Sequence, residues 1–244
     1  MKKLISPKMI ILYLLIIIST ITIFTNNKTN NITYLSLGDE YALGKDSFGI
    51  NSYSYSDYLK DKLKQNNQLK EYINYYRKEN MTIIELKNYI SNNTYYVSKK
   101  QKKSLKGYLQ EADLVTLSVG MSDLKYNSIT NEFIDSKKMD ESLKKIESEF
   151  NSLISEIKKY YKKDIFVIGY PNNTIQSYYL SMSIRKFNEF LKNNKDIRYI
   201  DPRILSSTKN NYFLNPKSNY YNTKGHNVIA EEIYKTYEKS LKNK

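Results

Sequence analysis

A chain of 244 residues with 40% hydrophobic residues suits one α/β domain with a full core, and the absence of cysteine excludes disulfides, so its stability rests on packing. The formal net charge of +14 is mostly lysine, spread along helical segments beside glutamate, as where Glu141 and Lys145 stand at i,i+4; such runs read as solvated faces, with attraction to an anionic envelope polymer or lipid headgroups as the second reading. No recognition motif accompanies the charge, so nucleic acid is not an expected partner, and no metal or cofactor is expected.

In chain order, Lys2, Lys3 and Lys8 precede an apolar run over 9–24, with the positive charge on the side that stays cytoplasmic. This reads as an export signal. No small-x-small cleavage site follows and no cysteine offers a lipid attachment point, so an uncleaved anchor is favoured over a cleaved signal, although about sixteen residues is short against the ~20 that span a bilayer. The expected organisation is therefore a signal anchor at 1–25, a polar tether at 26–31 and one extracytoplasmic domain at 32–244, membrane-bound and monomeric, on a Gram-positive type of cell surface; cleavage would make it a secreted protein.

From residue 32 strand and helix patterns alternate, the signature of a parallel sheet covered by helices on both faces. Strands are predicted at 32–37, 71–76, 114–119, 164–169 and 198–200, and helices at about 53–64, 82–92, 100–112, 139–162, 177–193 and 223–241. In the longest helix Phe150, Leu153, Ile154 and Ile157 recur at i, i+3, i+4, i+7 and mark its core face. Thr223 is a plausible N-cap for the last helix, with His226 at its third position. The 25 tyrosines include pairs such as Tyr75-Tyr76, Tyr95-Tyr96 and Tyr160-Tyr161 that suit carbohydrate stacking, but packing with the hydroxyl reaching water is the preferred reading.

Three blocks carry the chemistry. The first is Gly38-Asp39-Glu40 with Gly44, at the end of the first strand. The second runs from Ala112 to Asp123 and ends in Gly120-Met121-Ser122-Asp123. The third, Asn215 to His226, precedes the last helix and contains Ser218, Tyr220 and Gly225. In this order and spacing the blocks resemble those of the SGNH/GDSL hydrolases, the GDSL-like lipases and acylhydrolases. That resemblance implies a three-layer α/β sandwich with a five-stranded, flavodoxin-like parallel sheet.

In an active member a serine attacks an ester carbonyl, a histidine takes its proton, an acidic residue orients the histidine, and donors from the Gly and Asn blocks hold the oxyanion. Carried over to this sequence, the serine position is Glu40, the oxyanion glycine aligns with Glu79, the oxyanion asparagine is Ser122 and the histidine is Tyr220, with Ser218 or Lys217 where the acid belongs. No catalytic residue is intact. A carboxylate at position 40 would repel an oxyanion rather than form one. His226 reads as a structural helix-terminus histidine, and Ser36 and Ser118 lie within strands, so none of them replaces the missing groups. Asp39, Glu40, Gly120, Ser122, Asp123 and Tyr220 are the candidate cleft residues; Asp39 and Asp123 read as turn braces, leaving Glu40 without a structural duty. The leading expectation is a catalytically silent protein that binds a cell-envelope ligand such as a glycan or anionic polymer. An active esterase with rearranged residues and an envelope scaffold are the alternatives.

Overall fold

Strand β1, Ile32–Gly38, is buried along its whole length, as an apolar run must be when both faces of a sheet are covered. It pairs in parallel with β2, Leu69–Arg77, on one side and β5, Leu114–Ser118, on the other. Beyond β5 come β6, Ile165–Ile168, and β7, Arg198–Ile200, again parallel. The sheet order is therefore β2-β1-β5-β6-β7, the flavodoxin-like order, with its topological switch point between β1 and β5. All five predicted strands are present. The computed structural model describes residues 32–45, 48, 50–97, 102–129, 135–172, 178–205, 211–215 and 218–242; the proposed anchor and tether lie outside them, and among the described residues no helix is long and apolar enough to cross a membrane.

Helices α1, Glu40–Leu43, α2, Tyr55–Gln65, α3, Ile83–Ser91, α4, Leu105–Glu111, α5, Met121–Ile129, α6, Ser136–Tyr160, α7, Tyr178–Asn193, and α8, Thr223–Lys242, complete the layers. Helices α2 and α8 pack together, while α3 to α7 form the other group. The predicted core face of α6 is confirmed: Phe150, Leu153, Ile154 and Ile157 are all buried, each contributing roughly 1.5–3 kcal/mol relative to exposure. Tyrosine packing holds for two of the three pairs, since Tyr76 and Tyr161 are buried and Tyr75 and Tyr160 pack against the core, whereas Tyr95 is exposed.

The differences from the predicted elements have local causes. Ser54 caps α2 through a capping box with Asp57, so that helix starts at Tyr55 rather than at residue 53. The helix expected at 100–112 begins only at Leu105, because Lys102–Ser104 forms a short strand, β4, antiparallel to β3, Tyr95–Val97, and Ser104 then caps α4. Asn222, not Thr223, caps α8, its Oδ1 accepting the Gly225 N–H at 3.0 Å. Helices α1 and α5 are additions; α5 has no apolar stripe in its sequence that periodicity could detect.

Candidate functional site

Two glycines shape the switch point. At Gly38, with φ of 131°, a Cβ would lie 1.9 Å from the Ser118 carbonyl oxygen, and at Gly120, with φ of 128°, it would strike the Phe187 ring. Both therefore need glycine. The chain turns out of β1 tightly enough for the Asp39 N–H to donate to the Ser118 carbonyl at 2.8 Å, which presents residues 39 and 40 at the carboxyl edge where ligands of open α/β sheets bind.

Asp39 faces inward and is fully buried. Its Oδ1 accepts the Tyr41 N–H at 3.1 Å and the Ser118 hydroxyl at 2.7 Å, and its Oδ2 accepts the Tyr170 hydroxyl at 2.5 Å. It is the N-cap of α1 and ties together the ends of β1, β5 and β6, which is the bracing role read from the sequence. Burial, and then the neighbouring Glu40, push its carboxyl up to about 8, and the three hydrogen bonds oppose this without cancelling it.

Glu40 does have a structural duty, contrary to the sequence expectation. It is 1% exposed. Its Oε1 receives Lys125 Nζ at 2.9 Å and its Oε2 the Asn80 backbone N–H at 3.3 Å. A buried carboxylate needs such partners, since unpaired it would cost several kcal/mol. Lys125 also donates to the Tyr220 hydroxyl at 3.2 Å and lies over its ring. Burial works to lower the Lys125 ammonium, but Glu40 and Tyr220 outweigh it and the net direction is up, so the lysine stays charged. Tyr220 stacks on Tyr41, whose hydroxyl donates to the Asn219 carbonyl. Lys125 and Asn80 were missed at the sequence level. The one available signal was that Lys125 follows Ser122 by three residues, which places both on one face of a helix.

The position after β2 also shifts. Glu79 sits at the surface and pairs with Lys45, whereas Asn80 adopts a left-handed φ of 55° and aims its N–H at residue 40. The backbone donor that reaches Glu40 is thus at Asn80, one residue past Glu79, to which the resemblance assigns the oxyanion glycine. Ser122 is buried, and among the described residues its hydroxyl has no hydrogen-bond partner. Asp123 points elsewhere. Its Oδ2 accepts the Ile83 N–H at 3.2 Å and so holds the first residue of α3, and burial pushes it up to about 7. The acidic gathering of Asp39, Glu40 and Asp123 is therefore divided among three duties, and among the described residues no group of His, Cys, Asp and Glu has metal-binding proximity.

His226 is structural, as expected. Its Nδ1 accepts the Tyr55 N–H at 3.1 Å, at the start of α2, so Nε2 carries the proton. Burial pushes the ring down to about 4, keeping it neutral. Ser218 Oγ accepts the Tyr220 N–H at 3.0 Å, a local turn contact. Ser36 and Ser118 are fully buried in their strands.

Farther along the same edge, a cavity of about 300 Å³ opens between α7 and the ends of β6 and β7. Tyr170 joins the two places: its hydroxyl is fixed on Asp39 while the residue also lines this cavity.

The sheet order, the glycine turns at the switch point and the three blocks at its carboxyl edge define the SGNH/GDSL hydrolase fold. Solved structures carry the same fold. The chain resembles a lipase from a goat rumen metagenome at TM-score 0.67 and 15% identity, covering 84% of this chain and 97% of that one. A catalytic mutant of an acetylxylan esterase from Geobacillus stearothermophilus matches at TM-score 0.59 and 16% identity, over 84% and 94%. A GDSL-like lipase structure from Parabacteroides merdae matches at 0.56 and 14%, over 87% and 98%. No protein-family model matches the chain, and no curated protein does.

Proposed function

We propose that this chain is a membrane-anchored, extracytoplasmic SGNH-fold protein that no longer hydrolyses esters and instead binds a cell-envelope glycan or its acylated form. The observation that carries the reading is Glu40. Its carboxylate takes the Asn80 N–H that would otherwise receive an oxyanion, and Lys125 holds it there. Negative charge already occupies the place where it should develop during the reaction, so the donor gives no differential stabilisation to a transition state. Tyr220, stacked on Tyr41 and receiving Lys125 at its hydroxyl, stands where the histidine belongs, and His226 is committed to Tyr55. The ligand class takes its support from the lipase and acetylxylan esterase among the similar structures, whose names speak of acyl and acetylated-glycan substrates. The anchor takes its support from the apolar run at 9–24.

A second reading has one observation in its favour: the buried Ser122 hydroxyl, unpartnered among the described residues, stands one helical turn from Lys125, the order of a nucleophile and its base. Against it, Lys125 is held protonated by Glu40, and an ammonium cannot accept the serine's proton. Hydrolysis of a panel of short-chain p-nitrophenyl esters by the full chain separates the readings, with Ser122→Ala and Glu40→Ala as controls. No turnover above the uncatalysed rate is expected. Turnover abolished by Ser122→Ala would establish the hydrolase instead.

A further inference from the structure

The cavity between α7 and β7 is built from unlike parts. Arg185, Asn188 and Glu189 line it from α7, and their i, i+3, i+4 spacing places them on one helix face. Asn188 is spent on structure, clamping the Tyr170 backbone by accepting its N–H at 2.9 Å and donating to its carbonyl at 2.7 Å. This holds the chain after β6 in place and makes a rigid floor at Gly169, where a Cβ would meet Tyr199 and Asn188. Tyr199 and Phe213 add two aromatic side chains, and Pro171 and Pro202 add further apolar surface.

The polar groups differ from those at the switch point in being uncommitted. Among the described residues, Arg185 and Glu189 have no ion pair and the Tyr199 hydroxyl has no hydrogen-bond partner. Arg203 also lines the cavity, but its guanidinium is forked onto Asp201 through Nε and Nη2. Formal charge therefore cancels: Arg185 against Glu189, and Arg203 against Asp201. On a chain of net charge +14 this is a locally neutral pocket, unsuited to trapping an anion. Its volume lies at the small end of ligand cavities, ~300–1,000 Å³, enough for a ring-sized residue rather than a folded chain.

From these parts we infer that the α7–β7 cavity binds a neutral pyranose residue, its C–H face against Tyr199 and Phe213 and its hydroxyls on Arg185, Glu189 and the Tyr199 hydroxyl. A sugar ring offers both chemistries at once: one face of aliphatic hydrogens for an aromatic wall, and neighbouring hydroxyls that donate to a carboxylate and accept from a guanidinium. The inference deepens the glycan-binding reading proposed above and rests on it for the glycan class, but it places the ligand away from Glu40.

The test is saturation-transfer NMR, followed by calorimetric titration, on the full chain in a non-glycosidic detergent. The probes are methyl glucoside, methyl xyloside and N-acetylglucosamine, with glucuronate as the anionic control. Saturable binding of at least one neutral probe is expected, with Kd on the order of 1 mM. Arg185→Ala or Glu189→Ala, both exposed positions, should weaken it by about tenfold or more without moving Tm, and Lys125→Ala should leave it unchanged. Absence of saturable binding by every neutral probe, preference for glucuronate, or loss of binding only in Lys125→Ala would each overturn the site. Ester turnover, measured on the same preparation, would sink the pseudoenzyme reading separately, whichever way the sugar titration comes out.

Discussion

The carboxyl ends of β1 and β5 and those of β6 and β7 lie along one edge of one sheet, yet the first is filled by buried side chains, Asp39 and Glu40 among them, and the second opens into a cavity of about 300 Å³. At the closed end both carboxyl groups have internal partners: Glu40 has Lys125 and the Asn80 N–H, and Asp39 has Ser118, Tyr170 and the Tyr41 N–H. At the open end Arg185 and Glu189 have none among the described residues. On the function proposed above, a fold that binds ligands at this edge has turned the place of a nucleophile into core, with Arg185 and Glu189 left unspent two strands away. The closed end is a matter of stability; the open end is where recognition is proposed.

Glycine substitutions should break this contrast most strongly. Gly38→Ala drives a Cβ onto the Ser118 carbonyl at a left-handed φ, and should cost about 3 kcal/mol or more, or abolish folding. Gly169→Ala, at the floor of the open cavity, meets the Tyr199 ring and hydroxyl and the Asn188 side-chain oxygen rather than backbone and should cost about 1–2 kcal/mol. Urea unfolding of the two variants measures the difference; equal losses would mean that the closed end is no more tightly built than the open one.

Next in size is the ion pair. Lys125→Met strands the buried Glu40 carboxylate and should cost about 2 kcal/mol, below the range for a fully buried pair because the lysine itself is partly solvated. Adding Glu40→Gln should recover most of that loss, since a neutral amide needs no counter-charge. A double variant no better than Lys125→Met would show that the pair is not coupled.

Asp123 sets a pH dependence at the closed end. Its carboxyl stands at about 7 in the fold against an ordinary 3.8, so between those values the native state keeps a proton that the unfolded chain has released, and stability falls as pH rises through that window. Asp39, at about 8, adds a loss of the same sign. His226, held at about 4, acts oppositely, its contribution being present above an ordinary 6.5 and lost as pH falls toward 4. Asp123→Asn keeps an acceptor for the Ile83 N–H and removes the titration. It should therefore match wild type near pH 3.5 and exceed it increasingly as pH rises to 8. A constant difference between the two melting curves across pH would contradict this account.

The smallest expected effect is that of Glu40→Ser. It should change stability by less than about 1 kcal/mol, because Lys125 can turn to solvent, and it should yield no ester turnover, because no base replaces Tyr220. A measured gain of activity from that single change would show that a base has been overlooked.

The sheet was legible because each strand is an apolar run bounded by turn residues, and three blocks with fixed spacing set its edge. Asp39 was readable as a cap from its neighbours alone. Lys125 was not, because its partner Glu40 is 85 positions away in sequence and nothing in the local pattern of α5 marks an inward-facing lysine. Asn80 was hidden one residue from Glu79, since the direction of a backbone N–H depends on a left-handed φ that Asn permits but does not announce. The α7–β7 cavity was illegible for a different reason: its walls come from five separate stretches of chain, and only their neighbouring ends make it a site.

The central claim is that Glu40 has silenced the nucleophile position without a substitute arising nearby. Exposure of the full chain to a fluorophosphonate ester, followed by intact-mass measurement, addresses it directly, because such reagents add covalently to an activated serine. The account predicts an unchanged mass after prolonged incubation. A stoichiometric adduct on Ser122, or on any other serine at the carboxyl edge of the sheet, would contradict it and make this protein a working hydrolase.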